Sequence, residues 1–391
     1  VEMIELPRNA KGDLDLPGFF SVLDELNAGV PSIDNLVKLQ FMCPSVMASI
    51  LGITVAQAYT CFLDHQQGCF RQAPDVWEEF DSVSAKINVE TEFVLDPLSV
   101  AFLIDTDVVT ALDALAERLA VTHATLDEYR EMLHDAPAGE SASVRRVGGT
   151  YEFLRRDPRA LQEARSKMEA SLDWIERKCR VFGGEFVSGL PRAAQDALRR
   201  VFPLSVIQAV AAAHGTGRML WTDDLAVPLV LKERLATRRV WSQVCIKRLN
   251  GLGLISDDVL FKVMGRLFGC GFDSTEIRSD VALSVAQDAQ WGDRRWLKWF
   301  RCMQTKRTSG DELAQAIATI LNEATVQIGA SSRANFVRGV LTSLAKRPDG
   351  FAVLQALLTL LDIKRFGMNV IGEKIVRDEL GRILKRGGRE G

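Results

Sequence analysis

One short stretch limits the folds open to this chain. Met219-Leu220-Trp221 ends abruptly in Thr222-Asp223-Asp224. An apolar run that stops at a hydroxyl and two adjacent carboxylates reads as a buried strand with polar chemistry at its C-terminal tip. In open α/β sheets such tips are where ligands bind. Phe93-Val94-Leu95 running into Asp96 has the same shape, and Pro97 then suits the first turn of a helix. The chain reads as one that brings these two tips together.

Strand and helix alternate around them, the pattern of βαβ units and a parallel sheet. Val108 to Leu119 is predicted as a helix with Leu112, Leu115 and Leu119 on one face. Ala120-Val121-Thr122 is a second strand, and Leu126 to Leu133 a helix carrying Asp127, Glu128 and Glu131. Residues 135–150 read as a loop by composition, and 151–185 as a charged helical insertion. Val206 to Ala213 is a buried Ala-rich helix, and Val240-Trp241 a further strand. The Gly251/Gly253 and Gly269/Gly271 pairs follow helices, where Gly is the ordinary stop, and form no dinucleotide loop.

The flanks differ. Residues 1–90 are expected to be a helical N-terminal region, 91–285 an α/β domain, and 286–391 a helical C-terminal region. Val46 to Phe62 reads as one long apolar helix, and Asp75 as an N-cap. Phe19 to Leu26 and Leu36 to Phe41 have helical spacing, and Ser309 with Glu312 forms a capping box. Residues 1–91 hold 13 acids against 5 bases, and 286–391 hold 18 bases against 11 acids. That asymmetry suits a polyanion at one end, contact between the two ends, or a protein partner.

No apolar run approaches the roughly 18 residues of a membrane span, and no signal peptide is expected. Seven dispersed cysteines, an odd number, favour reduced thiols and a cytoplasmic setting. Cys61, His65 and Cys69 share a helix face, but three ligands on one straight helix make a poor zinc site, so they read as packing. There is no Gly-x-Ser-x-Gly elbow and no phosphate-binding Gly-Lys loop, and the four histidines form no motif.

Val94-Leu95-Asp96, Thr125-Leu126-Asp127-Glu128-Tyr129 and Thr222-Asp223-Asp224 appear in an order that resembles the PIN domain, a nuclease fold. Leu220 to Leu225, Val240-Trp241-Ser242 and the Gly-Leu-Ile-Ser helix start resemble a branch found in bacterial conflict and defence proteins with helical repeats. The resemblance covers roughly residues 92–283. It implies a parallel sheet flanked by helices. It also implies catalytic and metal-binding roles for Asp96, Glu128 and Asp224, with Asp223 as an auxiliary metal ligand. The family's helix-opening aspartate falls at or near Ser205 here, and a serine is no anionic ligand; Asp223, or Asp196 some nine residues upstream, is the candidate substitute.

The chemistry has a reason. Mg2+ and Mn2+ prefer oxygen ligands. Carboxylates at separate strand tips can converge on such ions, which activate water and neutralise phosphate charge. The expected activity is therefore a metal-dependent nuclease acting on nucleic acid, RNA ahead of DNA. The alternative is a catalytically degenerate module that binds nucleic acid or protein, with a partner engaged through the helical flanks. Each acid also has a plain reading: Asp96 as a helix N-cap, Glu128 as part of a solvated face. Arg145, Arg146, Arg155 and Arg156 are candidate phosphate contacts. The Trp- and Arg-rich stretch 291–307 reads first as an amphipathic helix with buried indoles. A helical scaffold with the α/β middle as spacer is a third possibility.

Overall fold

Phe93–Leu95 (β1) is three residues long, and all three are buried. Strands covered on both faces carry continuous apolar runs of this kind. In this computed structural model the described residues are 43–64, 70, 77–135, 141–147, 150–231, 235, 237–273, 275–288, 299, 303, 309–328, 330–363 and 370–387. Among the described residues, the helices before β1 are α1 (Pro44–Leu51), α2 (Val55–Asp64) and α3 (Trp77–Ala85). After it come α4 (Pro97–Thr106), β2 (Leu119–Thr122), α5 (His123–Asp135), β3 (Ser141–Val147), β4 (Thr150–Arg156), α6 (Pro158–Lys178) and β5 (Arg180–Phe182). Then follow α7 (Arg192–Arg199), α8 (Leu204–Ala213), β6 (Met219–Trp221), α9 (Ala226–Leu231), β7 (Arg239–Val240), α10 (Ser242–Gly251) and α11 (Asp257–Cys270).

Five strands form one parallel sheet in the spatial order β5-β2-β1-β6-β7. From β1 the chain moves outward to β2 and β5, and from β6 it moves outward the other way to β7. The reversal puts the topological switch point, where open α/β sheets bind ligands, between the C-terminal ends of β1 and β6. Register sharpens it. Leu95 pairs with Trp221, so the two strands end level and Asp96 and Thr222 lie side by side just beyond. The Asp96 amide donates to the Trp221 carbonyl at 3.0 Å. The expected α/β architecture with a central parallel sheet and helical flanks is what the chain adopts.

Four local expectations need correction. Residues 135–150 are not all loop: β3 and β4 form an antiparallel ladder from Ser141↔Arg156 to Val147↔Thr150. The helix expected over 151–185 is confined to Pro158–Lys178, and it leads into β5, an edge strand of the main sheet. The helix is therefore a crossover between β2 and β5, and the β3–β4 hairpin is the excursion. Third, Val109–Arg118 is a 3₁₀ helix. Its buried Val109, Leu112 and Leu115 recur every three residues, the period that lines one face of that tighter coil. Fourth, Val46 to Phe62 is two helices bent by 110° at Gly52. Gly52 has φ 64°, the left-handed C-cap that glycine adopts without strain. Thr54 and Gln57 then cap α2 reciprocally, at 2.9 and 3.1 Å.

One hydrophobic cluster runs from Met47 to Val281 and holds both sheet and N-terminal helices. Tyr59 and Phe62 of α2 reach Phe70, which stacks on Phe272. A second cluster, from Phe268 to Leu380, is helical. It is built from α12 (Ser279–Asp288), α13 (Gly310–Gln327), α14 (Ala330–Ala345), α15 (Gly350–Ile363) and α16 (Val370–Gly387). Trp299 is buried there, stacked on Phe268. The rest of the Trp- and Arg-rich stretch except Met303, the helices expected before residue 43, Asp75, His65 and Cys69 lie outside the described residues. So do the side chains of Arg145, Arg146, Arg155 and Arg156. Among the described residues no single helix is long and apolar enough to cross a membrane.

Candidate active site

Four carboxylates lie at or near the C-terminal ends of the strands, three at strand tips and one on α5, each held by donors from the start of a helix. Asp96 is the N-cap of α4. Its Oδ1 accepts from the Ser99 amide at 2.7 Å, and its Oδ2 accepts from the Thr222 hydroxyl. The N-cap reading of Asp96 is what the structure shows, with its second oxygen turned to Thr222. Asp223, at the tip of β6, turns toward the start of α10. It accepts from the Ser242 amide at 2.7 Å and from the Ser242 hydroxyl. The same hydroxyl accepts from the Trp221 indole at 2.9 Å, so Ser242 links a core side chain to a site side chain. Ser99 stands between the two aspartates, with its hydroxyl on the Trp221 carbonyl at 2.9 Å and 3.4 Å from Asp223 Oδ2.

Asp224 turns another way. Its Oδ1 accepts from the Ala226 amide at 2.8 Å, which starts α9. Its Oδ2 accepts from the amide of Ser45 at 2.9 Å and from the Ser45 hydroxyl at 2.6 Å. Glu128 projects from α5. The Ser205 hydroxyl, in the first turn of α8, donates to its Oε1, and the Val55 amide donates to its Oε2 at 3.2 Å. Tyr129 next to it donates to the Pro97 carbonyl at 2.9 Å, which ties α5 to the start of α4.

Burial sets the electrostatics. Asp96, Asp223 and Asp224 are essentially inaccessible, and Glu128 is half-buried. Desolvation pushes Asp96 up to about 7, against the hydrogen bonds from Thr222 and Ser99 that favour the anion. Burial likewise raises Glu128 to about 7 and Asp223 to about 6. Asp224 is also raised by burial, opposed by its donors from Ser45, Ala226 and Cys43. Raised carboxylate pKa values cluster at functional sites, and buried structural acids show the same shift.

The three acids singled out in the sequence thus line one edge of the sheet. Asp96 and Asp223 are brought together around Ser99. Asp224 and Glu128 turn away from that pair, each to a helix of the N-terminal region. Among the described residues no group of three His, Cys, Asp or Glu side chains is arranged to hold one ion. Sequence reading missed Ser45, the Val55 amide, Ser99 and Ser242. Ser242 had a signal, since it follows a strand as Thr222 does. Ser45 had none, because its partner lies 179 positions away.

Residues 94–230 match the family model of a PIN domain associated with the TPR-GreAB-C-PIN system. No curated protein and no solved structure matches the chain. The matched span contains Asp96, Glu128, Ser205, Asp223 and Asp224. Ser45, Val55 and Ser242, which donate to three of the four carboxylates, lie outside it. The part of this chain that builds the acidic edge is a PIN-like domain.

Proposed function

We propose that this chain is a metal-dependent nuclease, acting on RNA, of a bacterial defence or stress system in the cytoplasm. The observation that supports the reading is the register of β1 and β6 at the switch point, where Asp96 and the Thr222-Asp223-Asp224 run follow strands that end level. Their donor set is oxygen only, which fits Mg2+ or Mn2+ and not a thiolate-seeking metal. Asp96, Glu128 and Asp224 would hold the ion, with Asp223 assisting. A bound ion there supplies Lewis acidity and a water of lowered pKa. Thr222 orients Asp96, Ser242 orients Asp223, and burial of both carboxylates keeps bulk water from them. The basic C-terminal region and the helical flanks are the surfaces for nucleic acid and for a protein partner.

The test is cleavage of single-stranded RNA and DNA with manganese, comparing the wild type with Asp224→Asn and Glu128→Gln. Both variants are expected to lose most activity. Cleavage that persists undiminished in both removes the assignment.

A second reading has its own support. Ser205 replaces the carboxylate that the PIN resemblance expects, and protein donors already occupy the four acids. On this reading the domain binds nucleic acid or a protein without cutting. Calorimetry with manganese separates the two, because a module of this kind shows no binding that depends on Asp96 or Asp224.

A further inference from the structure

We propose that α1 is an autoinhibitory latch, hinged at Gly52, whose N-terminus covers Asp224 and keeps the acidic edge closed until it is lifted. The proposal rests on the reading of that edge as a metal site.

The donors to Asp224 and Glu128 fall into two sets. One comes from the PIN-like domain itself: the Ala226 amide for Asp224 and the Ser205 hydroxyl for Glu128. The other comes from the N-terminal region: the Cys43 thiol and the Ser45 amide and hydroxyl for Asp224, and the Val55 amide for Glu128. The second set sits at the starts of α1 and α2. The first amides of a helix have no partner within it and carry its positive end. Cys43, the N-cap of α1, makes no side-chain cap of its own. Asp224 therefore caps α1 from across the molecule, and α1 in return gives the carboxylate amide and hydroxyl donors where a cation would otherwise balance it.

The two helices are not held alike. In α2, Val55, Ala58 and Phe62 are wholly buried, and the Tyr59 hydroxyl donates to Asp105 Oδ2 at 2.8 Å. Arg266 clamps the same carboxylate with two nitrogens. α1 buries Pro44, Ser45, Met47 and Ala48 and leaves Ile50 half exposed. Between them Gly52 has positive φ and nothing within 4 Å of the place a Cβ would take. α2 is pinned through Tyr59 to the Asp105–Arg266 pair, so α1, with Ile50 exposed and an unencumbered left-handed glycine at its end, is the one that can swing. The pivot uncovers Asp224 while α2 stays seated.

The experiment uses the full chain and three variants. Ser45→Ala removes the hydroxyl donor, Met47→Ala loosens the packing of α1 without touching a carboxylate, and Ser45→Thr keeps the hydroxyl as control. Two readouts are taken: hydrogen exchange of residues 43–51 against 55–64, and manganese binding by calorimetry. In the wild type, manganese is expected to speed exchange of 43–51 and leave 55–64 protected. Ser45→Ala should bind manganese about tenfold tighter, the factor that one hydrogen bond to a charged acceptor carries, and Met47→Ala should also bind it tighter, through the packing that α1 loses. Ser45→Thr should match the wild type. Tight manganese binding that leaves 43–51 protected, with no gain in either Ala variant, overturns the latch and leaves the metal site standing. Faster exchange of 43–51 in the variants without manganese binding in any of them overturns the metal site, and the latch as an inhibitor with it.

Discussion

The hydroxyl of Ser45 donates to Oδ2 of Asp224 at 2.6 Å, across 179 positions of sequence and with both side chains inaccessible. It joins the start of a short helix to the tip of a sheet strand. A buried hydrogen bond to a carboxylate contributes about 1.5–3 kcal/mol, and breaking one side leaves the other unsatisfied. A double-mutant cycle of Ser45→Ala and Asp224→Asn is therefore expected to show coupling of about 1–2 kcal/mol. Thermal or urea unfolding of the four proteins measures it. Strict additivity would mean that the contact contributes nothing to folding.

The acidic edge should make the protein less stable as pH rises. Asp96 is raised from the ordinary 3.8 to about 7, so the folded state binds more protons than the unfolded chain between those values. Its contribution is fully present below the unfolded value and is lost as pH rises through the folded one. Glu128, Asp223 and Asp224 are raised too and act in the same direction. Asp96→Asn keeps an acceptor for the Ser99 amide and removes the buried charge. It should leave stability nearly unchanged near pH 4 and raise it by about 1–3 kcal/mol near pH 8. Melting at the two pH values checks this, and a variant less stable than wild type near pH 8 contradicts it.

Ser242 is expected to matter on two sides at once. Its hydroxyl accepts from the Trp221 indole and donates to Asp223, and the Asp223–Trp221 link has no substitute if it goes. Ser242→Ala leaves a buried indole N–H and a carboxylate oxygen short of a partner, at a cost of about 1–3 kcal/mol. It also moves Asp223 further above its present value of about 6. Ser242→Thr keeps the hydroxyl and should be close to wild type. Melting temperature and the indole N–H resonance of Trp221 report both effects.

What the sequence disclosed and what it hid divide along physical lines. The strands at Phe93 and Met219 were readable because buried parallel strands are continuous apolar runs ended by polar tips. Their adjacency followed from the shared shape and the family order of Asp96, Glu128 and Asp224. Strand β5 was hidden because Arg180 heads it and the charged Glu176-Arg177-Lys178 run precedes it, as befits a partly exposed edge strand. The β3–β4 hairpin carried a signal, Gly148-Gly149 between two runs of β-branched and aromatic residues, that the surrounding Ser and Ala obscured. The break at Gly52 was visible as a glycine but not as a left-handed one. The donors from Ser45 and Val55 could not be read at all. A backbone amide has no residue identity, and a serine far from its acceptor in sequence looks like any other.

Position 205 tests how the edge is built. The Ser205 hydroxyl donates to Glu128 Oε1, and Ser205 is buried in the first turn of α8, whose N-cap Pro203 offers no side-chain cap. Ser205→Asp restores the carboxylate that the PIN resemblance places there. Without a cation, it replaces a donor by a second acid facing Glu128. The two then titrate as a pair, one proton being retained well above the ordinary carboxylate range. The variant is expected to lose about 2–4 kcal/mol of stability near pH 8 and less near pH 5, where the pair keeps a proton. Manganese should reverse that loss, because two close carboxylates bind a hard divalent ion better than a carboxylate and a hydroxyl. The measurement is the rise in melting temperature on adding manganese, in wild type and variant side by side. A rise no larger in Ser205→Asp than in wild type would show that Glu128 does not face the cation, and would narrow the metal site to Asp96, Asp223 and Asp224.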